Sequence, residues 1–232
     1  RDGKAETRLG VHRLLVSPEL PKVQEVVRAA ARGDAVDAAD HEKARKQLEG
    51  ALRRMAPKVA ALLARLRQHP GDRHFVLTSI FPQYALRAAA AALQLEDLGA
   101  WRRRVTVLDN QLDAGAASAA IDAFNAGMDP QARGYKHEKA WEDNAQRVLL
   151  GTAKFREGIS LFNVSHVHLL EVQPNPSDAY QAISRAVRMC SHDAVTRPKG
   201  VDVRVYVAIA PMPRNTGGAP ERRVALGEEA VR

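Results

Sequence analysis

Arg185 and Arg188 are the residues of this sequence best placed to do chemistry. If the segment 176–189 is a helix, they share a face with Gln181 and Ser184, because the four fall at i, i+3, i+4 and i+7. Ala179, Ile183, Ala186, Val187 and Cys190 fall on the opposite stripe, so one side packs and the other presents two guanidiniums. Neither arginine has a carboxylate three or four residues away. Arg185 has Gln181, Ala182, Arg188 and Met189 at those positions, and Arg188 has Ser184, Arg185, Ser191 and His192. Their counter-charge must be tertiary or come from an anionic ligand. The plainer alternative is a solvated arginine face.

The segment upstream runs Leu149-Leu150-Gly151-Thr152-Ala153-Lys154-Phe155-Arg156-Glu157-Gly158-Ile159-Ser160-Leu161. A small residue at a strand end, followed by a hydroxyl and then a glycine, is how a backbone is brought close to phosphate. Viewed alone, the loop is equally a plain strand-to-helix connection in which Gly158 supplies a positive φ.

Gly151-Thr152 with Gly158-Ile159-Ser160-Leu161, and Gln181-x-x-Ser184-Arg185-x-x-Arg188, resemble motifs V and VI of superfamily 2 helicases and Swi/Snf-type translocases in order and spacing. The wording of Glu157–Val164, of His168-Leu169-Leu170-Glu171 and of Cys190-Ser191-His192 is most similar to helicase-like proteins of large nucleocytoplasmic DNA viruses, the group of the poxvirus-type nucleoside triphosphatase and early transcription factor subunit. Two departures stand out: Ser184 replaces the usual motif VI glycine, and Ser160 stands where many helicases carry Asp.

The resemblance implies a RecA-like second helicase domain, an α/β fold with a parallel sheet flanked by helices as in P-loop NTPases. It implies that Arg185 and Arg188 reach the γ-phosphate of ATP as arginine fingers, with Arg188 the foremost, and that Gln181 helps close the cleft. Gly158 and Ser160 would lie near the nucleotide, while Thr152, Lys154 and Ser79 would touch nucleic acid. The partners implied are an N-terminal RecA-like domain of the same protein, DNA or RNA as track, and viral RNA polymerase, in an intracellular or virion setting. The chain contains no G-x-x-x-x-G-K-[ST] and no Asp-Glu-x-His or Asp-Glu-x-Asp box, so ATP with Mg²⁺ would be held mainly by that other domain. This chain is expected to be an excised segment, inactive by itself. The other reading is a non-catalytic RecA-like interaction module in a transcription or capping assembly.

Composition is compatible with either reading. The chain has 232 residues, 45% hydrophobic, and Lys plus Arg exceed Asp plus Glu by 35 to 27, a net charge of +8 that favours polyanionic partners. A single cysteine, Cys190, excludes an internal disulfide and a cysteine-based zinc site, and the apolar stripe it shares predicts core packing. His166 and His168 point the same way along a strand, but no third ligand is evident in sequence, so they are expected to pack rather than bind metal. Trp101 with Arg102, Arg103 and Arg104 suggests a solvated connection or, less so, a single-strand groove. No apolar run is long enough to span a bilayer.

The elements that must position these groups follow from pattern. Strands are expected at 12–16, 74–79, 105–108, 147–151, 166–170 and 201–209, and helices from 41, after Pro57, at 83–98, 118–126 and 176–189. Strands alternating with helices imply βαβ units on a parallel sheet. Residues 33–40 read as a loop and 127–146 as a surface insertion. The expected organisation is a lead-in over 1–50, the RecA-like domain over 51–211 and an extension over 212–232.

Overall fold

The computed structural model of the chain describes residues 21–32, 34–78, 105–108, 110, 112–155, 158–188, 190–192 and 200–207. Ser79, the strand at 12–16, the helix at 83–98 and the 101–104 cluster lie outside the described residues. In chain order the elements are α1 (Pro21–Arg32), α2 (Ala38–Met55), α3 (Pro57–Gln68), β1 (His74–Thr78), β2 (Val105–Leu108), α4 (Ala114–Asn125), α5 (His137–Asp143), β3 (Val148–Thr152), β4 (His166–Leu169), α6 (Pro176–Ser184) and β5 (Asp202–Val205).

The five strands form one parallel sheet in the order β2-β3-β1-β4-β5. Both faces are covered, and strand periodicity assigns residues to each. Val76, Val148 and Leu150 point to one side, where they meet Val23 and Val26 of α1, Ala44, Leu48 and Leu52 of α2, and Val59, Leu62, Leu63 and Leu66 of α3. Phe75, Leu77, Leu149, Val167 and Leu169 point to the other. They meet Ala117 and Phe124 of α4, Ala182 of α6, and Phe155, Ile159, Leu161 and Val164 of the β3–β4 connection. Each fully buried leucine or phenylalanine contributes about 1.5–3 kcal/mol of transfer free energy.

Helix starts follow local chemistry. Pro57 sits in the first turn of α3, where the missing N–H costs nothing. Asp113 caps α4 by accepting from Ala116 N at 2.7 Å, and Asn175 caps α6 by accepting from Ser177 N at 2.9 Å. α2 runs unbroken through residue 50 and packs on α3, so the described part of the lead-in, from residue 21, shares the core of the sheet's first face.

The segment 127–146 lies largely at the surface, as expected, yet it is anchored and partly helical. It holds α5, and it buries Met128, Ala140 and Asn144. The reason lies in hydrogen bonding. α4 ends at Asn125, Gly127 with a φ of 69° reverses the chain, and Asn144 then donates its amide to the carbonyls of Ala123, Phe124 and Ala126 at 2.8–3.3 Å. One side chain satisfies carbonyls that the helix end leaves open. Arg147 locks the return by donating to the Trp141 carbonyl at 2.7 Å while stacking on that ring at 4.5 Å.

His166 and His168 are buried together with His74, and the tautomers of His74 and His168 follow from what surrounds them. The His69 carbonyl, 2.9 Å from His74 Nε2, can only accept. Nε2 of His74 therefore carries the proton, and its Nδ1 accepts from His168 Nε2 at 3.1 Å. His168 Nδ1 in turn accepts from the Tyr206 hydroxyl at 2.9 Å. Burial lowers the pKa of His74 to about 4 and that of His168 well below its usual value, so both rings stack uncharged.

Asn144→Ala removes three hydrogen bonds to helix-end carbonyls, of which the buried Phe124 oxygen keeps only Arg73 Nη2, and is expected to cost about 1–3 kcal/mol. For a domain of this size that lowers Tm by roughly 2–12 °C in thermal unfolding. A Tm within a degree of the parent would show that water replaces the amide at no cost.

Candidate nucleotide-facing site

The two arginines do not share one continuous helix. α6 ends at Ser184, and the chain tightens into turns in which Ala186 N donates to Ile183 O at 2.9 Å and Ser191 N to Arg188 O at 3.1 Å. Two competitors stop the helix. Ser184 Oγ donates back to Gln181 O at 2.8 Å, and the Arg185 carbonyl, which a continuing helix would offer to residue 189, accepts from Leu161 N at 3.2 Å. Cys190 follows in the left-handed region, with a φ of 63°. It is exposed, which corrects the expectation that it packs in the core: the helix that would have put it on the apolar stripe ends six residues earlier. Val187 is likewise half exposed at 50%, while Ala182 and Ala186 keep the buried stripe.

Ending the helix early brings the arginines to the β3–β4 connection. Arg188 is exposed, and its Nη1 donates to Ser160 Oγ. That partner is neutral, and among the described residues no carboxylate pairs with Arg188. Arg185 is half buried, tied by its carbonyl to Leu161, the next residue along. Gln181 is half buried too, and its Oε1 is shielded from water with no hydrogen-bond partner among the described residues. Ser160, Arg185 and Arg188 are thus gathered into one group, with Gly158 two residues before Ser160 in the same connection.

The connection is fastened by asparagines. Asn125, at the end of α4, donates to the Ser160 carbonyl at 2.7 Å and accepts from Phe162 N at 3.2 Å. Asn163, fully buried with a φ of 54°, donates to the Met128 carbonyl at 2.9 Å and to the Tyr135 hydroxyl at 3.1 Å. Its own N–H donates to Ser191 O at 2.7 Å. The Ser191 hydroxyl donates to the Arg188 carbonyl at 2.7 Å, and His192 reaches the Val164 carbonyl at 2.7 Å. Asn125 was not visible as a site residue because a lone amide carries no periodic signal; its only cue is its place at a helix end before Gly127.

Of the residues expected on nucleic acid, Thr152 and Lys154 bond to the segment after β2. Thr152 ends β3, is only 2% exposed, and gives its hydroxyl proton to Asn110 just past β2. Lys154 is exposed, with its ammonium 3.4 Å from the Leu112 carbonyl. Across the ladder, Thr78 pairs in register with Thr152 and donates to Glu171 Oε1 at 2.7 Å.

The family model for the helicase conserved C-terminal domain matches residues 58–190. Two proteins of Acanthamoeba polyphaga mimivirus, both provisionally named ATP-dependent RNA helicases, are 39% identical over 66 residues and 34% over 65, covering 28% and 26% of the chain. The chain spans only 12% and 6% of their lengths. Among solved structures, the C-terminal part of the Fun30 ATPase domain overlays with a TM-score of 0.47 at 17% identity, covering 87% of this chain and 60% of that one. The Pyrococcus furiosus Hef helicase domain overlays at 0.37 and 15%, covering 71% and 32%.

Gly158 has a φ of 76°, and a Cβ built there meets nothing within 4 Å. Gly158→Ala should therefore cost backbone strain alone, about 1–2 kcal/mol, and Gly158→Asn less, because asparagine visits the left-handed region more readily. Denaturant unfolding checks the order; equal losses would mean that the loop relaxes out of this conformation.

Proposed function

Because the chain belongs to the family of helicase conserved C-terminal domains, with more than half of its length matched, we propose that it is the half of an ATP-driven nucleic-acid motor that supplies arginine fingers. Arg188 carries the proposal. It is exposed, has no carboxylate partner among the described residues, and is docked through one guanidinium nitrogen on Ser160. That leaves most of its donors and its full charge for an anion, while the hydroxyl fixes its direction.

In this reading Arg188, seconded by Arg185, stabilises the negative charge that develops on a transferring phosphoryl group, the role in which an arginine finger is worth about 10³ to 10⁵ in rate. ATP and Mg²⁺ are held mainly by a first RecA-like domain of the same protein. Gln181, with its uncommitted carbonyl, meets that domain or the nucleotide as the cleft closes, and Gly158 lets the loop backbone approach it. Lys154, Thr152 and Ser79 are assigned to the nucleic-acid side. RNA is the first track to test, since both mimivirus relatives bear RNA-helicase names. A virus-type transcription complex inside the cell or virion, with an RNA polymerase as further partner, is the setting this reading favours.

Arg188→Ala in the full-length protein is expected to leave ATP affinity within a few-fold while lowering kcat by roughly 10² or more. An unchanged kcat would sink the assignment and favour a non-catalytic module. The 232-residue chain alone should not hydrolyse ATP and should bind nucleic acid weakly, with log K falling linearly as log salt rises. Tight binding indifferent to salt would contradict the electrostatic track.

A further inference from the structure

The turn between α3 and β1 lays His69 and Asp72 against His166, the first residue of β4. One ligand atom from each of the three lies within 4.8 Å of the others. Asp72 Oδ2 is 2.8 Å from His166 Nε2 and 3.5 Å from His69 Nδ1, and the two rings sit 4.8 Å apart. These separations bracket the edge of about 3.3 Å that a tetrahedron has at zinc–ligand distances of about 2.0–2.1 Å.

Hydrogen-bond accounting singles out His166. His74 and His168 each donate from one nitrogen and accept at the other, so as neutral rings they are satisfied. His166 instead faces carboxylate oxygens on both sides, Asp72 Oδ2 at Nε2 and Asp202 Oδ2 at Nδ1, at 2.8 and 3.3 Å. A neutral imidazole has one N–H for two acceptors. A cation between Nε2 and Asp72 resolves the conflict: Nδ1–H donates to Asp202 while the Nε2 lone pair and Asp72 share the metal. That is the arrangement by which an outer carboxylate orients a metal-bound histidine. The outer carboxylate is already fixed, since Arg65 and Arg204 each contact Asp202 Oδ2 at 2.9 Å. His166 is 7% exposed, whereas His69 and Asp72, at 32% and 42%, open the site to water.

We propose that His69, Asp72 and His166 bind a zinc-class divalent cation, with water in the fourth position, clasping the α3–β1 turn to the amino ends of β4 and β5. Two imidazoles and one carboxylate suit Zn²⁺ and Co²⁺, whereas Mg²⁺ and Ca²⁺ call for oxygen ligands throughout. The site shares no residue with the Arg188–Ser160 group and stands independently of it.

The test uses tag-free protein stripped with chelator and titrated with CoCl₂, ZnCl₂ or MgCl₂. Expected are one Co²⁺ per chain with the intense visible absorption of a four-coordinate ion, a Tm raised by about 5–10 °C at Zn²⁺ a hundredfold above Kd, and no shift with Mg²⁺. His69→Ala and Asp72→Asn change partly exposed residues, so each should keep the metal-free Tm within a few degrees while weakening Zn²⁺ binding about tenfold or more. Absence of stoichiometric binding by the parent overturns the proposal. Binding unchanged in both variants overturns it equally.

Discussion

A parallel sheet covered on both faces is the constraint from which the rest of this structure follows. The three middle strands, β3, β1 and β4, are buried along their whole length, so alternate residues must satisfy two separate cores rather than one core and water. Parallel pairing also forbids tight hairpins, so parallel strands must be joined by crossover connections. Those crossovers set residues far apart in sequence side by side at the strand ends. His74, Val148, His166 and Asp202 form one such row in register. Lys58 reaches across 112 residues to the Leu170 carbonyl at the other end of β4.

The second core explains why the β3–β4 connection is fixed although it has little regular structure. Phe155, Ile159, Leu161 and Val164 anchor it by burial, and asparagine amides bind the backbone groups left between those anchors. Burying a loop backbone costs several unsatisfied groups unless such partners are supplied. The same fastening ends α6 early. The Leu161 N–H takes the Arg185 carbonyl, the chain turns, and Arg188 comes to rest on Ser160 instead of continuing along a helix face. The exposed cation and the Ser160–Leu161 stretch of the loop are therefore held by one network.

The histidine row is the polar counterpart of this packing. In a row of buried rings, charge is costly and hydrogen bonds are few, so each ring must have a defined tautomer. His74 and His168 achieve this with the His69 carbonyl and the Tyr206 hydroxyl. His166, set between Asp72 and Asp202, stands out because its two neighbours are both acceptors.

Much of the architecture was legible in the residues themselves. Apolar runs gave β2 with its bounds and the other described strands to within a few residues, because strands of a parallel sheet covered on both faces are rich in Val, Leu and Phe; Pro57 and the 3.6-residue period of Val59, Leu62, Leu63 and Leu66 gave α3. Glycine and arginine spacing carried the family resemblance, since those residues answer to local backbone and charge needs that sequence shows directly. Tertiary structure decided what depends on distant partners. The end of α6 was set by Leu161, the exposure of Cys190 by the turn that follows, the order in 127–146 by Asn144, and the meeting of His166 with His69 and Asp72 by strand register. A periodic pattern reports which face of an element is buried. It holds no information on which backbone groups a distant segment will claim, and here those claims determine where the candidate site's charges stand.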